Sequence, residues 1–258
     1  MANLKEQVVF ITGASSGIGA ACAHAFASGG ASLVLAARRL DRLQAMEADL
    51  LKAGAGAVHV AGLDVRDQPA VQSMVERLPE RFRNIDVLVN NAGLSRGLDK
   101  LHEGELNDWE EMIDTNVKGL LYVDRAVVPG MVARESGMVI HIGSIAGSQV
   151  YPGGNVYCAT KHAVRALSQG LRIDLLGTGV RVVSIDPGLV DTEFSQVRYH
   201  GDTRKGKMTY LGMTPLEAED VAEAVLFAAT RPGRVQVAEM LLLPTDQAAA
   251  VHVHRRRG

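Results

Sequence analysis

Short apolar runs alternate with longer stretches of helical periodicity along nearly the whole chain, and this rhythm restricts the fold most strongly. Several runs are apolar on both sides of the pleat, as buried parallel strands are. Strand–helix–strand repetition requires crossover connections, which place helices on both faces of a parallel sheet. The sequence therefore predicts an α/β fold, a single-domain doubly wound parallel sheet over 1–258. The predicted strands are Val8–Ile11, Ser32–Ala36, Ala57–Gly62, Val87–Val89, Met138–Ile142, Arg181–Ile185 and Met240–Leu243, and the predicted helices include Ile18–Ser28, Leu40–Ala53, Pro69–Arg81 and Leu106–Val128.

Composition excludes several classes of partner. The 258 residues are 47% hydrophobic with a formal net charge of −2, so no basic face for nucleic acid is expected. Apolar stretches fall short of the roughly 20 residues that a membrane span needs, and the start of the chain enters a strand pattern without a signal sequence. The two cysteines, Cys22 and Cys158, have no metal-like spacing. We expect a cytoplasmic protein with no membrane, nucleic-acid or metal partner.

A glycine-rich loop follows the first strand and precedes a helix. Its spacing is Gly-x-x-x-Gly-x-Gly, which allows a tight turn and lets the backbone approach a pyrophosphate at the positive end of the helix. A glycine-rich turn without a ligand is the alternative, but the strand before and the helix after favour a dinucleotide site in a Rossmann fold. The predicted phosphate-binding residues are Gly13, Ser15, Ser16, Gly17, Ile18 and Gly19.

The end of the second strand indicates which dinucleotide binds. An NAD site places an acidic residue there for the ribose hydroxyls. This chain has Ala37, followed by Arg38 and Arg39. Arginine can hold a 2′-phosphate through a charge-assisted, forked hydrogen bond, whereas a carboxylate would repel it. We therefore predict NADP(H) as the cofactor; the alternative is a solvated arginine pair at a helix start.

Four residues form a candidate catalytic set. Tyr157 and Lys161 are four positions apart in a helical stretch and share a face. Ser144 follows a strand end, where open α/β sheets bind ligands. Tyr157 can exchange a proton with a substrate oxygen, and Ser144 can hold that oxygen. Lys161, together with the positive nicotinamide of the oxidised cofactor, is expected to lower the pKa of the phenol. Asn116 can anchor a water that passes protons onward.

With these motifs in family order, the chain resembles the short-chain dehydrogenases/reductases. The resemblance implies that Asp64 and Val65 border the adenine, and that Tyr157 and Lys161 also contact the cofactor. It also implies a homotetramer built through helices such as Trp109–Val128 and Tyr157–Leu176. The further cofactor contacts that it implies are Asn91, Ala92, Gly93, Pro187, Gly188, Val190 and Thr192.

Residues 193–211 are polar, basic and rich in glycine, and a long segment after the sixth strand is typical of a substrate lid. This segment is similar to that of NADP-dependent 3-hydroxy acid dehydrogenases, which act on serine and L-allo-threonine. The expected substrate residues are Ser144, Tyr157 and Arg198, where Arg198 pairs with a carboxylate or lies at the surface. Two alternatives stay open: a reductase of a bulkier ketone, diketone or 3-oxoacyl substrate, and a non-catalytic NADP(H) sensor.

Overall fold

Seven parallel strands form one sheet in the computed structural model of this chain, which describes residues 4–256. The strands lie in the order β3-β2-β1-β4-β5-β6-β7. The chain winds outward from β1 in one direction through β3 and then resumes at β4 on the other side of β1. The predicted α/β fold is confirmed. The strands are β1 (Val8–Thr12), β2 (Ser32–Ala37), β3 (Ala57–Gly62), β4 (Ile85–Asn90), β5 (Gly137–Ile142), β6 (Val180–Pro187) and β7 (Glu239–Leu242).

Helices cover both faces of the sheet, because side chains of one strand point alternately to its two sides. In β1, Val9 and Ile11 pack in the core beneath one helical layer, while Val8 and Phe10 pack beneath the other. No helix within residues 4–256 is long and apolar enough to cross a membrane. The α-helices are α1 (Gly17–Ser28), α2 (Leu40–Ala53), α3 (Gln68–Glu76), α4 (Leu106–Ile113), α5 (Leu120–Ala133), α6 (Asn155–Asp174), α7 (Phe194–Arg198), α8 (Thr203–Met208) and α9 (Ala218–Ala229).

Two predicted helices were wrong in detail. The helix predicted over 69–81 ends at Glu76, because Pro79 lacks the N–H that a further turn needs, and a 3-10 turn follows at Glu80–Phe82. The helix predicted over 106–128 is divided by a π turn, Asp114–Gly119, which periodicity alone does not reveal. This turn contains Asn116, one of the predicted catalytic residues.

A buried polar network joins β5 to α5 and α6. The His141 ring is fully buried, with Nε2 3.0 Å from Asp124 Oδ2 and Nδ1 2.8 Å from Ser168 Oγ. Asn90 at the end of β4 donates to Asp124 Oδ1 over 3.3 Å. The network thus ties the sheet to the helix that carries Tyr157.

Replacing His141 by leucine should destabilise the protein by about 3 kcal/mol, because it leaves the Asp124 carboxylate buried without its imidazole partner. The free energy of unfolding in urea measures the loss. His24→Leu is the matched control, since His24 is exposed on α1 and should change stability by less than about 0.5 kcal/mol. An unfolding free energy for His141→Leu equal to that of the parent protein would mean that the buried pair contributes nothing net.

Candidate active site

A cleft of about 700 Å³ opens at the carboxyl ends of the strands, where the strand order reverses between β1 and β4. Most of the predicted site residues line it. Gly19 and Asn116 do not; they lie behind the lining. The predicted residues that line the cleft are Gly13, Ser15, Ser16, Gly17, Ile18, Arg38, Arg39, Asp64, Val65, Asn91, Ala92, Gly93, Ser144, Tyr157, Lys161, Pro187, Gly188, Val190, Thr192 and Arg198.

The glycine loop is shaped as a cradle. Gly13 has φ +65°, and a Cβ there would lie 2.9 Å from Ala92 Cα. A Cβ on Gly19 would lie 2.5 Å from the Gly13 carbonyl oxygen, so Gly19 permits close packing of α1 rather than lining the cleft. Within the described chain no side chain caps α1 at Ser16, which leaves its first N–H groups free to bind an anion. The loop therefore fits a pyrophosphate.

The two arginines after β2 lie at the same end of the cleft. Arg39 donates from Nη2 to Ser16 Oγ over 2.7 Å and from Nε to Ser15 Oγ over 3.3 Å. The side chain of Arg38 is 54% exposed, and its Nη1 lies 3.6 Å from Glu111 Oε1. Cationic groups thus stand beside the phosphate loop, as a 2′-phosphate site requires.

Asp64, predicted to border the adenine, and the loop after β4 are both fixed by hydrogen bonds. Arg66 forms an ion pair with Asp64, in which Nη2 lies 2.6 Å from Oδ2. This guanidinium lowers the pKa of the Asp64 carboxyl. Asn91 Nδ2 donates to the Thr12 carbonyl over 2.9 Å, and Ala92 N donates to Thr12 Oγ1 over 3.0 Å. The loop after β4 is thereby fixed along the cleft.

Tyr157, Ser144 and Lys161 meet deeper in the cleft. Tyr157 and Lys161 are buried on one face of α6, and the Ser144 hydroxyl acts on the Tyr157 phenol to lower its pKa. Lys161 Nζ donates to the Ile142 carbonyl over 2.8 Å. Burial lowers the pKa of Lys161 to about 8, and the negative charge of Asp186 opposes that shift. The structure therefore brings Ser144, Tyr157 and Lys161 together in one cleft, and their catalytic roles stay a prediction.

The lowering of the phenol pKa stays a prediction, because it includes the charge of the oxidised nicotinamide, whereas the net effect of the protein's own groups is in the opposite direction. Burial raises the pKa of Tyr157, and the groups that oppose it are the Arg198 guanidinium and the Ser144 hydroxyl. In this structure Lys161 donates from its ammonium to the Ile142 carbonyl. The cation that acts to lower the pKa of this phenol is therefore Arg198, which lies in the predicted lid, residues 193–211.

The Asn116 side chain forms hydrogen bonds that connect three segments of the structure. Its Oδ1 accepts from Leu94 N over 2.8 Å, and its Nδ2 donates to the Leu94 carbonyl over 2.8 Å and to Thr160 Oγ1 over 3.0 Å. The side chain therefore fastens the π turn to the loop after β4 and to α6. A role in holding a water stays a prediction.

Arg198, at the end of α7, lines the cleft and lies close to the Tyr157 ring. Its guanidinium carbon lies 5.5 Å from the centroid of the Tyr157 ring and 5.3 Å from that of Phe194. Nε donates to Ser95 Oγ and Nη2 to Tyr151 Oη, each over 3.1 Å. Within residues 4–256 these bonds leave Nη1 without a hydrogen-bond partner. Sequence reasoning missed Ser95 and Tyr151, which lie 103 and 47 positions from Arg198 and carry no local signal.

The fold and this cluster define a nucleotide-dependent oxidoreductase, and comparison with known proteins identifies the family. The family model for short chain dehydrogenase matches residues 7–202. The chain belongs to this family. It is 49% identical over 250 residues to NADP-dependent 3-hydroxy acid dehydrogenase YdfG of Salmonella typhi, covering 96% of this chain and 99% of that protein.

Two further relatives bear on the site. Sulfoacetaldehyde reductase 2 of Chromohalobacter salexigens is 46% identical over 244 residues, covering 94% of this chain and 96% of that protein. A solved structure, the closed form of serine dehydrogenase complexed with NADP⁺, superposes with a TM-score of 0.91 at 46% identity, covering 97% of this chain and all of that one. The predictions of the family, of a dehydrogenase and of NADP(H) as cofactor are confirmed.

Proposed function

We propose that this enzyme interconverts a small 3-hydroxy acid, of the serine or L-allo-threonine type, and its carbonyl form, with NADP(H) as hydride carrier. The observation that carries the proposal is the position of Arg198, 5.5 Å from the ring of Tyr157 in the same cleft. A carboxylate paired with that guanidinium would place a hydroxyl group one or two carbons away near the phenol. The name of the 49% identical relative supports this substrate class.

The cleft fits the cofactor through groups already in place. The glycine cradle and the free N–H groups of α1 would hold the pyrophosphate, and Arg38 and Arg39 would hold the 2′-phosphate. Bound there, NADP(H) supplies or accepts the hydride at its nicotinamide ring. Pro187, Gly188 and Val190 also line the cleft and would border that ring.

Tyr157 acts as the acid and base in this proposal. It would give its proton to the substrate oxygen in reduction and take it back in oxidation, while Ser144 holds that oxygen by a hydrogen bond. Burial keeps the phenol protonated, which suits the reductive direction. Lys161 would hold the cofactor ribose, and its charge would favour the phenolate when the reaction runs towards the carbonyl.

Replacing Arg198 by alanine should lower kcat/KM for hydroxy acids by about a hundredfold, since hydrogen bonds to charged groups contribute about 1.5–3 kcal/mol. Uncharged secondary alcohols should lose far less, because they place no anion on the guanidinium. Steady-state rates of NADP⁺ reduction on L-serine, L-allo-threonine, 3-hydroxypropionate and cyclic secondary alcohols measure the difference. Arg204→Ala is the matched control, since Arg204 is exposed at the edge of the same segment. Equal losses on both substrate types would remove the carboxylate role.

A second candidate function uses the same site with a substrate that carries a different anionic group. The relative named sulfoacetaldehyde reductase 2 favours an aldehyde bearing a sulfonate, which a guanidinium binds as it binds a carboxylate. Rates of NADPH oxidation on sulfoacetaldehyde and on malonic semialdehyde separate the two candidates. A preference for bulky uncharged ketones over both would instead favour the ketone, diketone or 3-oxoacyl alternative.

We further propose a cytoplasmic homotetramer. Apolar side chains stand exposed on α5 and at the end of α6, with exposed fractions of 41% for Leu121, 73% for Ile173 and 88% for Leu176. Such residues support contacts between copies of the chain. Cys22 and Cys158 are both free thiols, which suits a reducing compartment. Light scattering of the purified protein tests the assembly.

A further inference from the structure

Glu193, the first residue of the predicted lid, connects that segment to the arginines after β2. One carboxylate oxygen lies 2.8 Å from Arg39 Nη1 and the other lies 2.7 Å from Arg42 Nη1. The two guanidinium groups lower the pKa of Glu193 to about 2, with the hydrogen bond from Arg42 contributing most. The carboxylate is therefore ionised at neutral pH and bridges two cations.

Arg39 places this bridge over the phosphate loop. The same guanidinium that holds Glu193 also donates to Ser15 and Ser16. The residue before Glu193 packs on the loop as well, because a Cβ built on Gly17 would lie 3.2 Å from Thr192 Cβ. Glu193 thus fixes the start of the lid segment across the entrance to the phosphate site.

The other end of α7 is held separately. Gly97 N donates to the Arg198 carbonyl over 2.9 Å, and His200 Nε2 lies 3.0 Å from Asp108 Oδ2. The five-residue helix that carries Arg198 is therefore held at both ends, and bonds from Arg96 to the Val197 carbonyl and between Ser195 and Tyr210 also hold it along its length. Only the anchor at Glu193 involves a residue predicted to bind the cofactor phosphate.

We propose that Glu193 is a positioning residue: with Arg39 and Arg42 it forms a latch that keeps α7 closed over the cleft and so holds Arg198 above Tyr157. This inference rests on the proposed function only for what Arg198 binds. The close superposition on a serine dehydrogenase in its closed form supports a closed arrangement here, in which the latch is formed. Because Arg39 belongs to both the latch and the phosphate site, cofactor and substrate binding share one side chain.

Hydrogen–deuterium exchange of residues 194–211 in the full-length protein tests the latch without depending on turnover. Glu193→Gln removes the charge at nearly constant shape, and Arg42→Gln removes a partner that lies outside the predicted cofactor site. Each variant should exchange about fivefold faster over this segment, as expected for the loss of partly exposed ion pairs. The double variant should exchange no faster than Glu193→Gln alone, because both changes break the same contact.

Glu80→Gln is the matched control, since the Glu80 carboxyl is exposed and has no ion pair or hydrogen bond within the described residues. Exchange in Glu193→Gln equal to that of the parent protein would overturn the latch. Additive effects of the two substitutions would also overturn it.

Kinetics on the hydroxy acids supply the second measurement. Glu193→Gln should raise KM about fivefold and change kcat by less than about twofold, because the chemistry at Tyr157 is untouched while Arg198 is held less firmly. Faster exchange with an unchanged KM would refute the link from the latch to Arg198. Faster exchange in an enzyme that turns over no hydroxy acid would refute the proposed substrate and leave the latch standing, so the two failures are distinguishable.

Discussion

Replacing Tyr157 by phenylalanine should lower kcat by about a thousandfold or more and leave NADP⁺ binding nearly intact. A positioned proton donor contributes about a hundred- to ten-thousandfold, and phenylalanine removes only the hydroxyl group. The ring would still pack against Phe194, whose centroid lies 5.6 Å away, so the cleft should keep its shape. Initial rates with saturating cofactor measure kcat, and equilibrium titration measures cofactor affinity.

Tyr122→Phe is the matched control for this substitution. Tyr122 lies on α5, packed against the core that contains Val8 and Phe10, and outside the cleft. The loss of the same hydroxyl group there should leave kcat within about twofold. Residual activity of Tyr157→Phe above about a tenth of the parent rate would assign the proton transfer to another group. A parallel loss of NADP⁺ affinity would mean that the phenol serves binding rather than chemistry.

The fold was predictable because the pattern of each strand is local. Val8 to Phe10 are apolar at every position, which indicates a strand buried on both faces, and the helix α2 begins and ends at the predicted residues. The π turn at Asp114–Gly119 was not predictable, since it lies within one stretch of helical periodicity. What distinguishes it is tertiary: Asn116 bonds to Leu94 and to Thr160, which lie 22 and 44 positions away.

The candidate site also has parts that the sequence predicts and parts that only the folded structure reveals. The glycine loop and the Tyr157–Lys161 pair could be predicted because their geometry depends on residues that are close in sequence, within one turn and on one helix face. The ion pair between Glu193 and Arg39 could not be predicted, since 154 positions separate the two residues. The upward effect of burial on the pKa of Tyr157 could not be predicted either, because it depends on how the folded cleft encloses the phenol.

The double variant Ala37→Asp with Arg38→Ala should reverse the cofactor preference. Ala37 ends β2 at the rim of the cleft, where a carboxylate would accept hydrogen bonds from the ribose hydroxyls of NAD⁺ and repel a 2′-phosphate. The loss of Arg38 removes one charged contact, which contributes about 1.5–3 kcal/mol. We expect the Kd for NADP⁺ to rise about a hundredfold and the Kd for NAD⁺ to fall several-fold. Equilibrium titration with each dinucleotide measures both constants.

Arg39 limits how far the double variant can shift the cofactor preference from NADP⁺ to NAD⁺. It remains on Ser15 and Ser16 in the double variant, so some affinity for the 2′-phosphate should persist, and the single variants separate the new repulsion from the lost contact. Arg125→Ala is the matched control, because Arg125 is exposed on α5 away from the cleft. An unchanged ratio of the two Kd values would place the phosphate site elsewhere. A hundredfold loss of NADP⁺ affinity without any gain for NAD⁺ would instead mean that Arg38 binds the phosphate but that position 37 does not reach the ribose.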